Sequence, residues 1–445
     1  MCRKFNGLVW VVVLGIIDGC TPAPDPKQAF HVVTPIGQEV SLPPAYQTAP
    51  VHNYCKVIGW PPGKTPQAPA GFRVQLFADS LDNPRNMIVG SNGDLFVSEA
   101  NTEVSGLKKI GANLIGISAS QKLGKSANRI ILLRDTNHDG NADIKSVFLS
   151  GLNQPYGMLI FKDWFYVANT DGLWRFPYKT GQNHINSKGN KILSLPRGGY
   201  NNHWTRNLRL SADSTKIYVA VGSGSNDGEH GKENEFRRAA ILEINPDGSG
   251  EKIYANGLRN PNGLDIQPET KSLWAAVNER DGFGDELVPD FLTQVKKGGF
   301  YGWPYAYFGP HEDPTHKNEN PDKVKQTLMP DLSLGAHTAP LSLCFYNGKD
   351  FPPKYYDGAF IAQHGSANRA ELVGYGVAFI PFLNGKPADK CGDFLTGFIC
   401  DRKTRRVYGR PAGVANSKTG SLFVSDDAGN KVWLVSYVRK RSSHN

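Results

Sequence analysis

One pattern recurs six times along the chain from about residue 71 onward. It consists of a turn rich in Gly, Pro or Asn, a short apolar strand, a polar turn, and a second strand rich in β-branched and aromatic residues. It reads LDNPRNMIVGSNGDLFVSEA from Leu81, LNQPYGMLIFKDWFYVANT from Leu152, HWTRNLRLSADSTKIYVAVGSG from His203 and LRNPNGLDIQPETKSLWAAVNE from Leu258. It continues as APLSLCFYNG with YYDGAFIAQHG from Ala339, and RPAGVANSKTGSLFVSDDAGN from Arg410. Successive starts lie 71, 51, 55, 81 and 71 residues apart, room for two further strands in each unit. A strand pair cannot bury both of its faces alone. Packed radially about an axis, six such units give an all-β fold, a six-bladed β-propeller of four-stranded antiparallel blades, whose loops at one end converge on a central pocket. The last strand, Val432 to Val438, is expected to close the ring against the first blade. The Pro-, Asn- and His-rich stretch from Phe300 to Leu334 reads as a long insertion.

Composition agrees with this reading. Gly 48 and Pro 30 together make up roughly a sixth of the 445 residues, against about 12% in an average protein. So many turn residues exclude a helical bundle or coiled coil, while 11% aromatic residues exclude a disordered chain. The net charge of +9 favours anionic partners slightly. The basic clusters at Arg402–Arg406 and Arg439–Arg441 are short and lack interleaved aromatics, so nucleic-acid binding is not supported.

The N-terminus reads as an export signal: Arg3 and Lys4, an apolar stretch from Leu8 to Ile17, then Asp18, Gly19 and Cys20. Gly19-Cys20 resembles a bacterial lipoprotein cleavage site, which predicts a periplasmic protein lipid-anchored through Cys20. Ordinary secretion with cleavage nearby is the alternative. The expected division is a signal over 1–20, a polar, Pro-rich tether over 21–70 and the propeller over 71–445. Cys391 and Cys400 bracket a short segment and are placed to close a hairpin, although spacing alone does not fix connectivity. No Cys-x-x-Cys-His haem motif and no zinc-like His/Cys spacing occurs.

If the repeats are blades, residues flanking the strand pairs lie at loop ends near the axis. Those positions hold Arg85-Asn86, Gln154, Asn202-His203, Arg206, Arg259-Asn260, Arg280-Asp281, His337, His364, Arg369, Arg410 and Asp426-Asp427. Any one of them is adequately explained as a turn residue. Several arginines converging on one pocket repel each other unless an anion or carboxylates join them, which points to a multiply anionic ligand. Separately, Asp135, Asn137, Asp139, Asn141 and Asp143 alternate around Gly140. This pattern reads equally as half of a calcium loop or as a plain hairpin turn.

NHWTRNL, LRNPNGL, NERDGFGDEL followed by KGGFYGWPYAYFG, QHGSANR and FVSDDAGN resemble the soluble quinoprotein sugar dehydrogenases, especially the L-sorbosone dehydrogenase branch. The likeness runs from about residue 71 to 438. It implies a six-bladed propeller with pyrroloquinoline quinone (PQQ) and Ca²⁺ in the axial pocket. His203 matches the catalytic base. Arg259 and Asn260 match residues meeting the quinone oxygens, which makes Arg259 catalytic as well as cofactor-binding. Gln154 matches a glutamine near substrate and cofactor, Arg410 a carboxylate-binding arginine and Asp426 an aspartate beside the cofactor. His364 stands at a cofactor-binding lysine position, with Arg369 as an alternative anion contact, and His337 at the cofactor's edge. Arg280 and Asp281 match the carbonyls that hold calcium, and Asp285 and Glu286 an acidic pair near the substrate.

Three departures stand out. Ser223 and Asn202 replace acidic residues near the base, which lowers its basicity. Tyr408 replaces a second cofactor arginine. The function implied is PQQ- and calcium-dependent oxidation of an aldose, sorbosone-like sugar aldehyde or pyranose, with electrons passed to an external cytochrome or quinone. A calcium-dependent lactonase and a non-catalytic binding propeller are the competing readings.

Overall fold

The computed structural model describes residues 29–104, 110–111 and 116–438. The expected signal, Cys20 and the start of the tether lie outside the described residues, as does the Arg439–Arg441 cluster. Six four-stranded antiparallel sheets dominate. In chain order their innermost strands are Pro84–Val89, Met158–Phe161, Arg206–Leu210, Asn260–Ile266, Pro340–Phe345 and Pro411–Asn416. Each touches the next, and the sixth touches the first, so the ring is closed. All six repeats supply the two inner strands of successive blades.

Alternation of side chains makes the ring stable. In blade 1 Phe96 points into a core shared with blade 2, while its neighbours Leu95 and Val97 point into a core shared with blade 6. Period-2 burial on both faces of every sheet therefore builds one apolar layer between each pair of blades. Phe96, Phe165, Trp274, Phe360 and Trp433, each at most 2% exposed, fill these layers.

Closure differs from the sequence expectation. The final strand, Lys431–Tyr437, pairs with Phe72–Ala78, and together they complete blade 6. The first propeller strand thus belongs to the last blade. The stretch from 29 to 70 also departs from the expected tether, because it packs on the ring. Phe30–Val33 and Glu39–Leu42 form a hairpin whose apolar residues join the core of blades 3 and 4, with Leu42 fully buried. Further on, Trp60 packs edge-on against Phe398 and Trp433. The 300–334 insertion contains a two-residue hairpin, the helix Pro321–Gln326 and the start of the outer strand Leu332–Ala336. Cys55, Cys344, Cys391 and Cys400 are free thiols, so the 391–400 hairpin is not cross-linked. No helix among the described residues is long and apolar enough to cross a membrane.

Candidate active site

Two sets of loops share one end of the ring: those entering each innermost strand, and those joining the second and third strands of each blade. The first set carries Gln154, His203, Arg259, His337 and Arg410; the second carries Arg280, Asp281, Asp285, His364 and Arg369. Asn260 and Asp426 sit at the adjoining strand ends. Every axial residue expected from the sequence therefore lies at this end, in two clusters and a rim.

His203 anchors the first cluster. Its Nδ1 lies 2.9 Å from both the carbonyl and the hydroxyl of Ser223, and that hydroxyl donates onward to the Ser225 carbonyl at 2.6 Å. A carbonyl only accepts, so Nδ1 carries the proton and Nε2 presents its lone pair. Burial and the nearby Arg259 charge push the His203 pKa down to about 3, which keeps the ring neutral. Arg259 and Asn260 are neighbours of the base: the Ser223 N–H donates to the Arg259 carbonyl at 2.7 Å, and a Cβ on Gly222 would meet both Asn260 and His203. That Gly keeps the Asn260 amide against the base.

Beside them Asp281 accepts from His337 Nδ1 at 3.0 Å and lies 3.7 Å from the Arg259 guanidinium. His337 Nε2 faces the Gly284 carbonyl at 2.8 Å. Both ring nitrogens meet acceptors, so His337 is an imidazolium. Burial pulls its pKa down, and the bond and charge of Asp281 more than reverse this. Burial likewise raises Asp281, but His337 and Arg259 bring it down to about 2. Glu279, 4% exposed, is pushed up to about 8 by burial and keeps one oxygen unpaired.

The second cluster centres on Asp427, which the sequence placed at an axial loop end but to which the resemblance gave no role. Asp427 receives His364 Nε2 and Arg85, and the Arg85 guanidinium lies 5.6 Å from the Trp204 ring. Arg410 is spent on main-chain carbonyls: it donates to His364 at 3.0 Å, Gly365 at 3.0 Å and Ser120 at 3.1 Å. Asp426 accepts from the Arg410 and Gly429 N–H groups at 2.7 Å each and from Trp60 at 2.6 Å. In this structure both residues hold loops together rather than face a ligand.

Gln154, at φ 46°, donates to the Asn101 carbonyl at 3.0 Å. Arg369 pairs with Glu286 on the rim, and Asp285 accepts from the Ala370 N–H at 3.0 Å. Sequence reasoning missed Tyr156, which is fully buried and reaches across the axis to donate to the Leu341 carbonyl at 2.7 Å. With Ala100 and Trp204 it forms a small apolar cluster under the loops. It also missed the N-terminal segment as part of this end, where Thr48 accepts from the Asp285 N–H at 2.7 Å and Tyr54 feels the Asp281 charge. Only a Tyr beside a Cys in a supposed tether, Tyr54-Cys55, hinted at burial.

The resemblance implies two groups at this end of the ring, calcium and PQQ. Calcium does not fit the 280–281 loop as folded. The Asp281 carbonyl accepts from Asn226 at 3.0 Å and from Arg280 at 3.3 Å, and the cations of Arg259, Arg280 and His337 crowd the loop. Among the described residues no three His, Cys, Asp or Glu side chains are grouped to hold a metal ion. Asp135, Asn137, Asp139, Asn141 and Asp143 lie in a blade 1 hairpin at the other end of the ring, where they cap their own turn. Asp135 takes the His138 and Gly140 N–H groups, and Asp143 takes that of Thr136. PQQ fits better, because two buried donors at this end lack partners within the protein, Arg206 Nε beside the base and Arg85 Nε in the Asp427 cluster, and so does one acceptor, Asn260 Oδ1. An anionic quinone would offer carboxylates and ring oxygens to the two guanidinium N–H groups, and its ring N–H to the Asn260 oxygen.

Comparison with known proteins agrees with the fold. A model of the family described as "Domain of unknown function (DUF7133)" matches residues 64–373. The chain belongs to the DUF7133 family. It is 27% identical to an uncharacterized protein of Borreliella burgdorferi, over 84% of this chain and 91% of that one. It is 22% identical to the pyrroloquinoline quinone-dependent pyranose dehydrogenase of Coprinopsis cinerea, over 82% of this chain and 54% of that protein. The solved holo PQQ domain of the Coprinopsis pyranose dehydrogenase superposes with a TM-score of 0.67 at 18% identity, covering 86% of this chain and all of that one. At that identity the likeness shows the fold, and this DUF7133 chain shares its propeller with PQQ sugar dehydrogenases.

Proposed function

We propose that this protein is a PQQ-dependent dehydrogenase that oxidises an aldose, a sorbosone-like sugar aldehyde or a related pyranose. The observation that carries the reading is His203: its Nδ1 proton is held by Ser223, its Nε2 lone pair is free, and Arg259 and Asn260 flank it. When bound, PQQ supplies a two-electron acceptor for hydride. Arg85 and Asn260 would meet it, while Arg259, whose guanidinium is engaged by Asn226 and the Glu279 carbonyl, would act on the site through its charge. His203 Nε2 takes the proton of the substrate hydroxyl, and the adjacent Arg259 charge favours the alkoxide character that develops as the proton leaves. We further propose export, lipid attachment at Cys20 and transfer of electrons to a separate acceptor.

A second reading, a ligand-binding propeller without turnover, is favoured by the engagement of Arg410 and Asp426 in loop contacts. Lactone hydrolysis needs axial carboxylate ligands for a metal, and the described residues do not group them. Purified protein is titrated with PQQ, with added Ca²⁺ and with a chelator, following cofactor absorbance and dye reduction on an aldose and aldosone panel. Binding in both arms with turnover lost in His203→Ala is expected. No binding in either arm overturns the proposal, and binding without turnover on any substrate selects the ligand-binding reading.

A further inference from the structure

We infer that the cleft between blades 1 and 2 is a second binding site, for a neutral polyhydroxylated ligand of pyranose size. The cleft has a volume of about 460 Å³ and lies between the loop at 149–153, the third strand of blade 2, Gly172–Pro177, and residues 185–189. Its lining combines the Trp174 ring, the side-chain amides of Asn153, Asn169 and Asn186, and the Asp171 carboxylate. Two of its polar atoms, Asp171 Oδ1 and Trp174 Nε1, are buried without a partner in the protein. One only accepts and the other only donates, and a buried group left so is penalised until something from solvent pairs with it. A hydroxyl does both, so a ligand with several hydroxyls and an apolar ring face satisfies the pair and covers the indole.

Charge argues against an anionic ligand. The charged side chains of the lining are Asp171 and Lys188, and Lys191 lies 3.9 Å from the other Asp171 oxygen, so no cluster of guanidinium groups awaits a phosphate or carboxylate. The cleft is tied to the axial end of the ring: Asn153 donates its N–H to Asn169 Oδ1 at 3.3 Å, and the next residue is Gln154. The inference does not depend on PQQ chemistry.

The test is calorimetric titration of the full-length protein with D-glucose, D-xylose and cellobiose, in wild type, Trp174→Phe and Asp171→Asn. Trp174→Phe keeps an aromatic ring face and removes the N–H donor with the five-membered ring. Saturable binding of at least one sugar is expected, weakened about 5-fold or more by each cleft substitution, the loss expected for a hydrogen bond. Absence of saturation up to about 100 mM, the weakest affinity worth calling a site, overturns the inference. So does binding that both cleft substitutions leave intact, or displacement of the sugar by inorganic phosphate. If Asp171→Asn fails to fold, Trp174→Phe decides the outcome alone.

Discussion

His203 is expected to stay neutral through the physiological range, titrating at about 3 because burial and Arg259 both oppose its charge. Ser223→Asp tests this directly, since it places a carboxylate where a hydroxyl now lies 2.9 Å from Nδ1. Opposite unit charges about 4 Å apart are worth about 4 kcal/mol at an effective dielectric of about 20, or about three pKa units. Keeping the new carboxylate dry takes back part of that, so a net rise of about two units is expected. The sign follows from the partner: a carboxylate at Nδ1 favours the imidazolium, so the midpoint moves up toward pH 5. The assay is the pH dependence of the His203 Cε1–H resonance, assigned among 11 histidines by its disappearance in His203→Gln. A wild-type midpoint near 6.5 would refute the role of burial and Arg259. An unmoved midpoint in a folded Ser223→Asp protein would refute the orientation of Nδ1 toward Ser223. Ser223→Ala retains the carbonyl acceptor and is expected to shift the midpoint by less than about half a unit, under about 0.7 kcal/mol.

Three further outcomes are expected. Arg410→Lys should lower unfolding stability by about 2–4 kcal/mol, because one ammonium cannot replace a fork that serves three carbonyls; unchanged urea unfolding with lost cofactor binding would assign Arg410 to the ligand instead. In Asp427 burial is outweighed by His364 and Arg85, which hold the carboxyl well below its usual 3.8. Its stabilisation is therefore present above that value and lost as the pH falls further, so Asp427→Asn should cost about 3 kcal/mol near neutrality and much less near pH 2, read by denaturant midpoints at the two pH values. Trp60→Phe removes a donor from Asp426, which burial already raises to about 6. A cost of about 1–2 kcal/mol is expected. Because a raised carboxyl loses stability as pH climbs from its unfolded value through its folded one, that cost should be larger at pH 8 than at pH 4; equal costs at both would contradict it.

The inner half of every blade was legible because its signals are local. Asn262-Gly263 and Tyr156-Gly157 mark the close approach of inner strands, where a Cβ at Gly263 would meet Leu343 and one at Gly157 the backbone of blade 3. The axial residues were legible too, as polar groups placed before or after apolar strands. What was not legible depends on partners far away in the chain. Arg410 and Arg85 look alike in sequence, and only the fold shows one saturated by carbonyls and the other keeping an unpaired Nε. The outer strands and the packing of residues 29–70 were hidden for the same reason: Gln38 bonds Ser333, and Asn53 bonds Ala367.

The pairing of Phe72–Ala78 with Lys431–Tyr437 joins positions about 350 residues apart. At roughly 5–20 residues per second, the first of these strands waits tens of seconds for its neighbour to be made. During that time it presents an unpaired edge to whatever else is near. The ring is therefore completed only after nearly all of the chain is available. The same clasp brings the two ends of the propeller, Phe72 and Tyr437, side by side.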